Sequence, residues 1–88
     1  MEKNEIINTV LTIMKKIKDI EINKITLDEP ISGKKINFNP FELTYLLLEL
    51  RRVFNIKFYA EDVENYKFNT INNISNIVMQ RITLINLQ

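Results

Sequence analysis

The chain has 88 residues, a formal net charge of +1, no cysteine and no histidine. That length makes one domain, residues 1–88, which buries only about 60–65% of its unfolded surface, so most large apolar side chains are needed in its core. Without Cys and His there are no Cys/His zinc sites, thiol chemistry or histidine general bases, and the balanced charge argues against strong phosphate-backbone binding.

The opening Met1-Glu2-Lys3-Asn4-Glu5 lacks the basic-then-apolar layout of a secretory leader. The longest apolar run, Tyr45 to Leu48, is far too short to cross a bilayer. These features lead us to expect a cytoplasmic protein that makes no membrane contact.

Helical periodicity predicts a first helix from about Glu5 to Lys18, with Ile6, Val10, Ile13 and Ile17 on one stripe and Ile7, Leu11 and Met14 beside it. Lys15, Lys16 and Lys18 crowd its last turn, where cations favour the helix dipole. Asp19 to Phe38 contains Pro30 and the single glycine, Gly33, and has no helical period. It reads as a long loop pinned by Ile22, Ile25, Leu27 and Ile31, unusual in a small domain unless the fold is built around it.

The second helix has the clearest start signal in the chain. Asn39 suits the N-cap, Pro40 suits the first helical position, and Glu42 stands at N3, close to a capping box. Asn55, which tolerates left-handed backbone, predicts its end. Leu43, Leu47, Leu50 and Phe54 form a core stripe flanked by Leu46 and Val53. Phe41, Tyr45, Leu48 and Arg52 form a second stripe on the opposite side. Aromatic residues and arginine are favoured interface anchors, so this stripe is the candidate partner-binding surface. The bland alternative is that the long loop folds over it, or that Phe41 tucks against Phe38.

A short third helix, about Ala60 to Asn65, is expected to carry Glu61, Asp62 and Glu64 outward and Val63 inward. The last helix begins at Thr70, a weaker cap signal with Asn73 three on, and runs to about Leu84, with Ile71, Ile74, Val78, Ile82 and Ile85 on one face. The outline is all-α: a four-helix bundle with a long first loop and a short third helix.

Over Glu5 to Ile82 this outline resembles the acyl carrier protein family. That family places Asp-Ser-Leu at the start of its second helix, then an apolar-acidic helix, a Phe with a short connector, and a Thr-Val start to the last helix. The matching residues are Asn39-Pro40-Phe41, Glu42-Leu43 through Val53-Phe54, Ile56-Lys57-Phe58, and Thr70-Ile71 leading Ile74 and Ile77-Val78. Small length departures precede Ile36 and Thr70.

Carriers in this family bear a phosphopantetheine arm on the serine where this chain has Pro40, and proline has no hydroxyl to esterify. The resemblance therefore implies a degenerate, non-enzymatic binding or scaffold protein without a cofactor. It also implies a protein partner touched by Phe41 and Leu48. Related proteins without the serine accompany peptide-modifying enzymes in bacterial maturation cassettes for bacteriocin-type peptides. The family's acidic second helix is replaced here by Glu42 and Glu49 against Arg51 and Arg52, which weakens steering toward fatty-acid enzymes.

Three other readings remain open. One is a carrier with a substitute attachment site at Ser32 or Ser75. Another is a small DNA-binding bundle, although the solvent side of the second helix lacks the side chains that read base edges. The third is self-association: the protein is expected as a monomer or a homodimer through the second helix. Glu61, Asp62 and Glu64 read as a solvated face rather than a metal site, and no residue is assigned to catalysis.

Overall fold

A computed structural model describes residues 1–86; the last two residues of the expected 1–88 domain lie outside the described residues. Four α-helices occur in chain order: α1 (Lys3–Ile17), α2 (Pro40–Phe54), α3 (Ala60–Val63) and α4 (Ile71–Asn86). Among the described residues there is no β-strand, only an isolated bridge between Pro30 and Thr70. The fold is an all-α four-helix bundle, as the periodicity predicts, and no helix among the described residues is long and apolar enough to cross a membrane.

The inward stripe of α1 buries Ile6, Val10, Ile13 and Met14. This helix packs mainly against α4 and next against α2. It joins Leu46 and Leu50 of α2 with Ile71, Ile74 and Val78 of α4 in one core. Phe58 and Phe68 meet edge to face at 5.6 Å, joining the segments on either side of α3.

The long loop contributes to the core. Ile20, Ile31, Ile36 and Phe38 are buried, Ile22 and Ile25 are half-buried, and Leu27, expected as a pin, is exposed. The loop is fixed by its backbone. The Ile31 N–H donates to the Asn69 carbonyl at 2.7 Å, the Phe38 N–H to the Ile31 carbonyl at 2.8 Å, and the Asn72 N–H to the Leu27 carbonyl at 2.9 Å. Side chains reinforce this seam, with Ser32 Oγ donating to Asn69 Oδ1 and Asn72 Nδ2 to Asp28 Oδ1, both at 3.0 Å. The long loop, expected without helical structure, holds one 3-10 turn over Ile22–Lys24, and other polar backbone groups of it find partners ahead of and within α4. At Gly33 a Cβ would stand 3.0 Å from the Pro30 carbonyl, which accounts for glycine there.

The predicted α3 is corrected in two ways. It ends at Val63, where a 3-10 turn over Glu64–Tyr66 takes over. Glu61 and Glu64 face outward as expected, but Asp62 is buried and Val63 exposed. A second correction concerns α2: Val53, expected beside the core stripe, is exposed, and Leu46 is fully buried while Leu43, Leu47 and Phe54 are partly so. The centre of the buried face lies at Leu46 and Leu50. On α4, Thr70 Oγ1 accepts from the Asn73 N–H at 3.0 Å, as expected of a cap. Ile85 continues the buried stripe of Ile74 and Val78 but is exposed near the helix end.

Candidate interaction surface

The start of α2 is built as its sequence dictates. Asn39 Oδ1 accepts from the Glu42 N–H and Glu42 Oε1 accepts from the Asn39 N–H, both at 2.8 Å, a complete capping box. Pro40 fills N1, where a missing N–H leaves no helical bond unmade. Lys18, leaving α1, donates to the Asn37 carbonyl at 2.6 Å and to Glu42 Oε1 at 3.3 Å. The Asn39 N–H holds the Glu42 carboxyl below its usual range, against the opposing pull of burial, with Lys18 adding to the effect. At the other end Asn55 is left-handed, with φ 52° and ψ 50°, and its N–H returns to the Arg51 carbonyl.

Between these caps α2 presents two opposed faces. The inner one holds Leu46 and Leu50. The outer one carries Phe41, 86% exposed, Tyr45, 56% exposed, and Leu48, 49% exposed. The long loop does not cover this stripe, and Phe38 is buried in the core while Phe41 stands in solvent. Arg52 closes the stripe, its Nε and Nη2 donating to the Glu49 carboxylate at 3.2 and 2.9 Å. Those hydrogen bonds lower the Glu49 pKa despite some burial and raise that of Arg52. Beside the stripe, a groove of about 400 Å³ runs between α1 and α2, walled by Ile13, Ile17, Phe41 and Tyr45 with Lys16 and Glu49 at its rim. All four side chains expected to bind a partner therefore share one exposed ridge.

The two serines weighed as substitute attachment points have very different settings. Ser75 is fully buried on α4, and its hydroxyl has no hydrogen-bond partner among the described residues. Ser32 is exposed, its hydroxyl held by Asn69. Pro40 presents no hydroxyl.

The Glu61, Asp62 and Glu64 cluster, expected as a solvated face, is solvated only in part, because Asp62 is buried. Arg81 of α4 is 9% exposed and donates from Nε to Asp62 Oδ2 at 2.9 Å and from Nη2 to Asp62 Oδ1 at 2.7 Å. Its Nη2 also reaches Glu61 Oε1 at 2.9 Å, and its guanidinium lies 4.4 Å from the centre of the Tyr59 ring. Asp62 Oδ2 further accepts from the Tyr59 N–H at 2.8 Å, tying the first turn of α3. Burial alone would raise the Asp62 pKa, but the hydrogen bonds from Arg81 and Tyr59 outweigh it and hold the carboxyl below its ordinary value. This cluster locks α3 to α4. Its signal was Arg81 itself, a charge at the i+7 position of the Ile74–Val78 stripe, where only a paired one is tolerated. No group of His, Cys, Asp and Glu among the described residues is arranged to hold a metal ion.

No protein-family model matches the chain and no curated protein matches it, so its role is argued from the exposed α2 ridge and the proline at its head.

Proposed function

We propose that this protein is a non-enzymatic binding or scaffold module related in design to acyl carrier proteins but carrying no phosphopantetheine. The observation that supports it is the pairing of Pro40 at N1 of an intact, fully capped α2 with an uncovered Phe41–Tyr45–Leu48–Arg52 ridge on the same helix. The helix start is kept while the hydroxyl needed for attachment is absent. Ser75 is too deeply buried to replace it without opening the core. Aromatic and arginine side chains are enriched at contacts between proteins. The partner class follows from the resemblance: a peptide-modifying enzyme of a bacterial maturation cassette.

The carrier half of this reading is tested by intact mass after incubation with coenzyme A and a broad-specificity phosphopantetheinyl transferase. The mass should not change; an added arm on any residue, Ser32 included, would make the protein a carrier. The binding half is tested by photo-crosslinking from the α2 ridge in the native host. Tyr45→Ala and Leu48→Ala should lose a crosslinked partner that the wild type retains.

A further inference from the structure

We propose that the cavity between the α2–α3 connector and the last turns of α4 binds a small apolar carboxylic acid, its carboxylate held by Arg81 Nη1 and the Lys57 ammonium. The site lies at the end of α2 away from Pro40 and is independent of the outer ridge.

A guanidinium carries five N–H donors. Arg81 uses three of them inside the fold: Nε on Asp62, and the two hydrogens of Nη2 on Asp62 and Glu61. The remaining two, on Nη1, have no partner among the described residues, and Nη1 is not sealed from water. The side chain as a whole is only 10% exposed. Donors this poorly hydrated gain most from an incoming charged acceptor. The ring of Tyr59, 4.4 Å from the guanidinium, and the two bonds to Asp62 fix the plane of the group, so Nη1 needs no further ordering to meet a ligand.

Arg81 lines a cavity of about 350 Å³ with Asn55, Lys57, Tyr59, Leu84 and Ile85. That volume is at the small end for ligand sites, which suits a molecule of a few carbons rather than a folded partner. Arg81, Leu84 and Ile85 stand at i, i+3 and i+4 on α4 and so share one face. Leu84 and Ile85 are both exposed, and they give the cavity its apolar wall.

The sign of the ligand follows from the neighbouring charges. Asp62 and Glu61 together outweigh the single charge on Arg81. Lys57 is exposed and forms no ion pair among the described residues. Lys67 reaches the Glu61 carbonyl at 3.4 Å and acts on Asp62 through its charge. Three cations therefore stand against two carboxylates, a balance that favours an anion over a second cation. One oxygen of a bound carboxylate would accept from Nη1 and the other from Lys57, with the carbon chain lying on Leu84 and Ile85.

Titration of the full chain with hexanoate at fixed salt, followed by proton–nitrogen correlation NMR, tests the proposal. Hexanoate should shift the backbone amides of Lys57, Tyr59, Leu84 and Ile85 and the Arg81 Nε–H signal, with a Kd on the order of 1 mM, in keeping with so small a ligand. Hexanamide, of the same shape but neutral, should bind at least tenfold more weakly. Lys57→Ala and Leu84→Glu should each weaken hexanoate at least tenfold, and both keep the wild-type circular dichroism because both side chains are exposed. Arg81 is left intact, since its loss would open the contact between α3 and α4. No shift up to about 20 mM hexanoate, equal binding of hexanamide, undiminished binding by either variant, or shifts centred on the groove between α1 and α2 each overturns the proposal. None of these outcomes bears on the α2 ridge, whose crosslinking test is separate.

Discussion

Asp62–Arg81 and Glu49–Arg52 are both two-bond arginine–carboxylate pairs with nearly the same contact distances, yet they do different work in the molecule. The first spans α3 and α4 and is almost closed to water; the second lies along one turn of α2 with its arginine in solvent. Geometry alone does not tell them apart. Burial does, because a charge stripped of water depends wholly on its partner, while an exposed one falls back on solvent.

The strongest test of this contrast removes one partner of each pair. Asp62→Ala should cost about 3–5 kcal/mol in urea unfolding, since it leaves the buried Arg81 only the exposed Glu61 carboxylate and also frees the Tyr59 N–H. A domain this small has little stability to spare, so the loss is read as a lowered urea midpoint at reduced temperature. Adding Arg81→Met to Asp62→Ala should recover part of the loss, because the buried cation is then gone. If Asp62→Ala leaves the midpoint unchanged, α3 is not locked to α4 in the way described.

Acid sharpens the same comparison. The folded Asp62 carboxyl titrates below the ordinary aspartate value of about 3.9, so its contribution is complete above that value. It is lost as pH falls below it, through the lower folded value, while Arg81 stays charged. Asp62→Asn should therefore flatten the acid limb of the stability curve below about pH 4, measured against wild type by circular dichroism. An acid limb identical in the two proteins would assign it to other carboxylates.

A smaller effect is expected at the head of α2. Asn39→Ala removes the side chain that accepts from the Glu42 N–H and should cost about 0.5–2 kcal/mol. Pro40→Ser should leave the fold intact, since the Asn39 cap and Glu42 remain. The smallest effects belong to the outer ridge. Tyr45→Ala and Leu48→Ala should each shift stability by no more than about 0.5 kcal/mol in dilute protein, and Arg52→Ala should leave the urea midpoint in place. A large loss from Leu48→Ala would mean the ridge packs against the fold after all.

Much of the bundle is legible in the sequence because its signals are local. The stripe of Ile6, Val10 and Ile13, the Asn39–Glu42 box and the Asn55 cap depend on residues within a few turns of one another, and helix geometry fixes those distances. The ridge of Phe41, Tyr45, Leu48 and Arg52 is likewise readable as a pattern. The facing of α3 is not. A four-residue helix has too little period to show which side is inward, and its acidic residues look like a solvated surface until Arg81, 19 positions away, is brought against Asp62.

By itself the sequence determined the helix order, the capped start of α2 with a proline at its first position and the existence of two opposed apolar stripes on that helix. Each follows from spacing or from the chemistry of a single side chain. Only the tertiary structure decided which stripe is covered. The long loop could have closed over Phe41, but its backbone is committed to Asn69 and Asn72 at the head of α4, and its buried residues Ile31, Ile36 and Phe38 fill the core. The same long-range packing made Asp62 a buried anchor and left Val63 in water, because contacts between residues far apart in the chain outweigh what a short helix encodes locally.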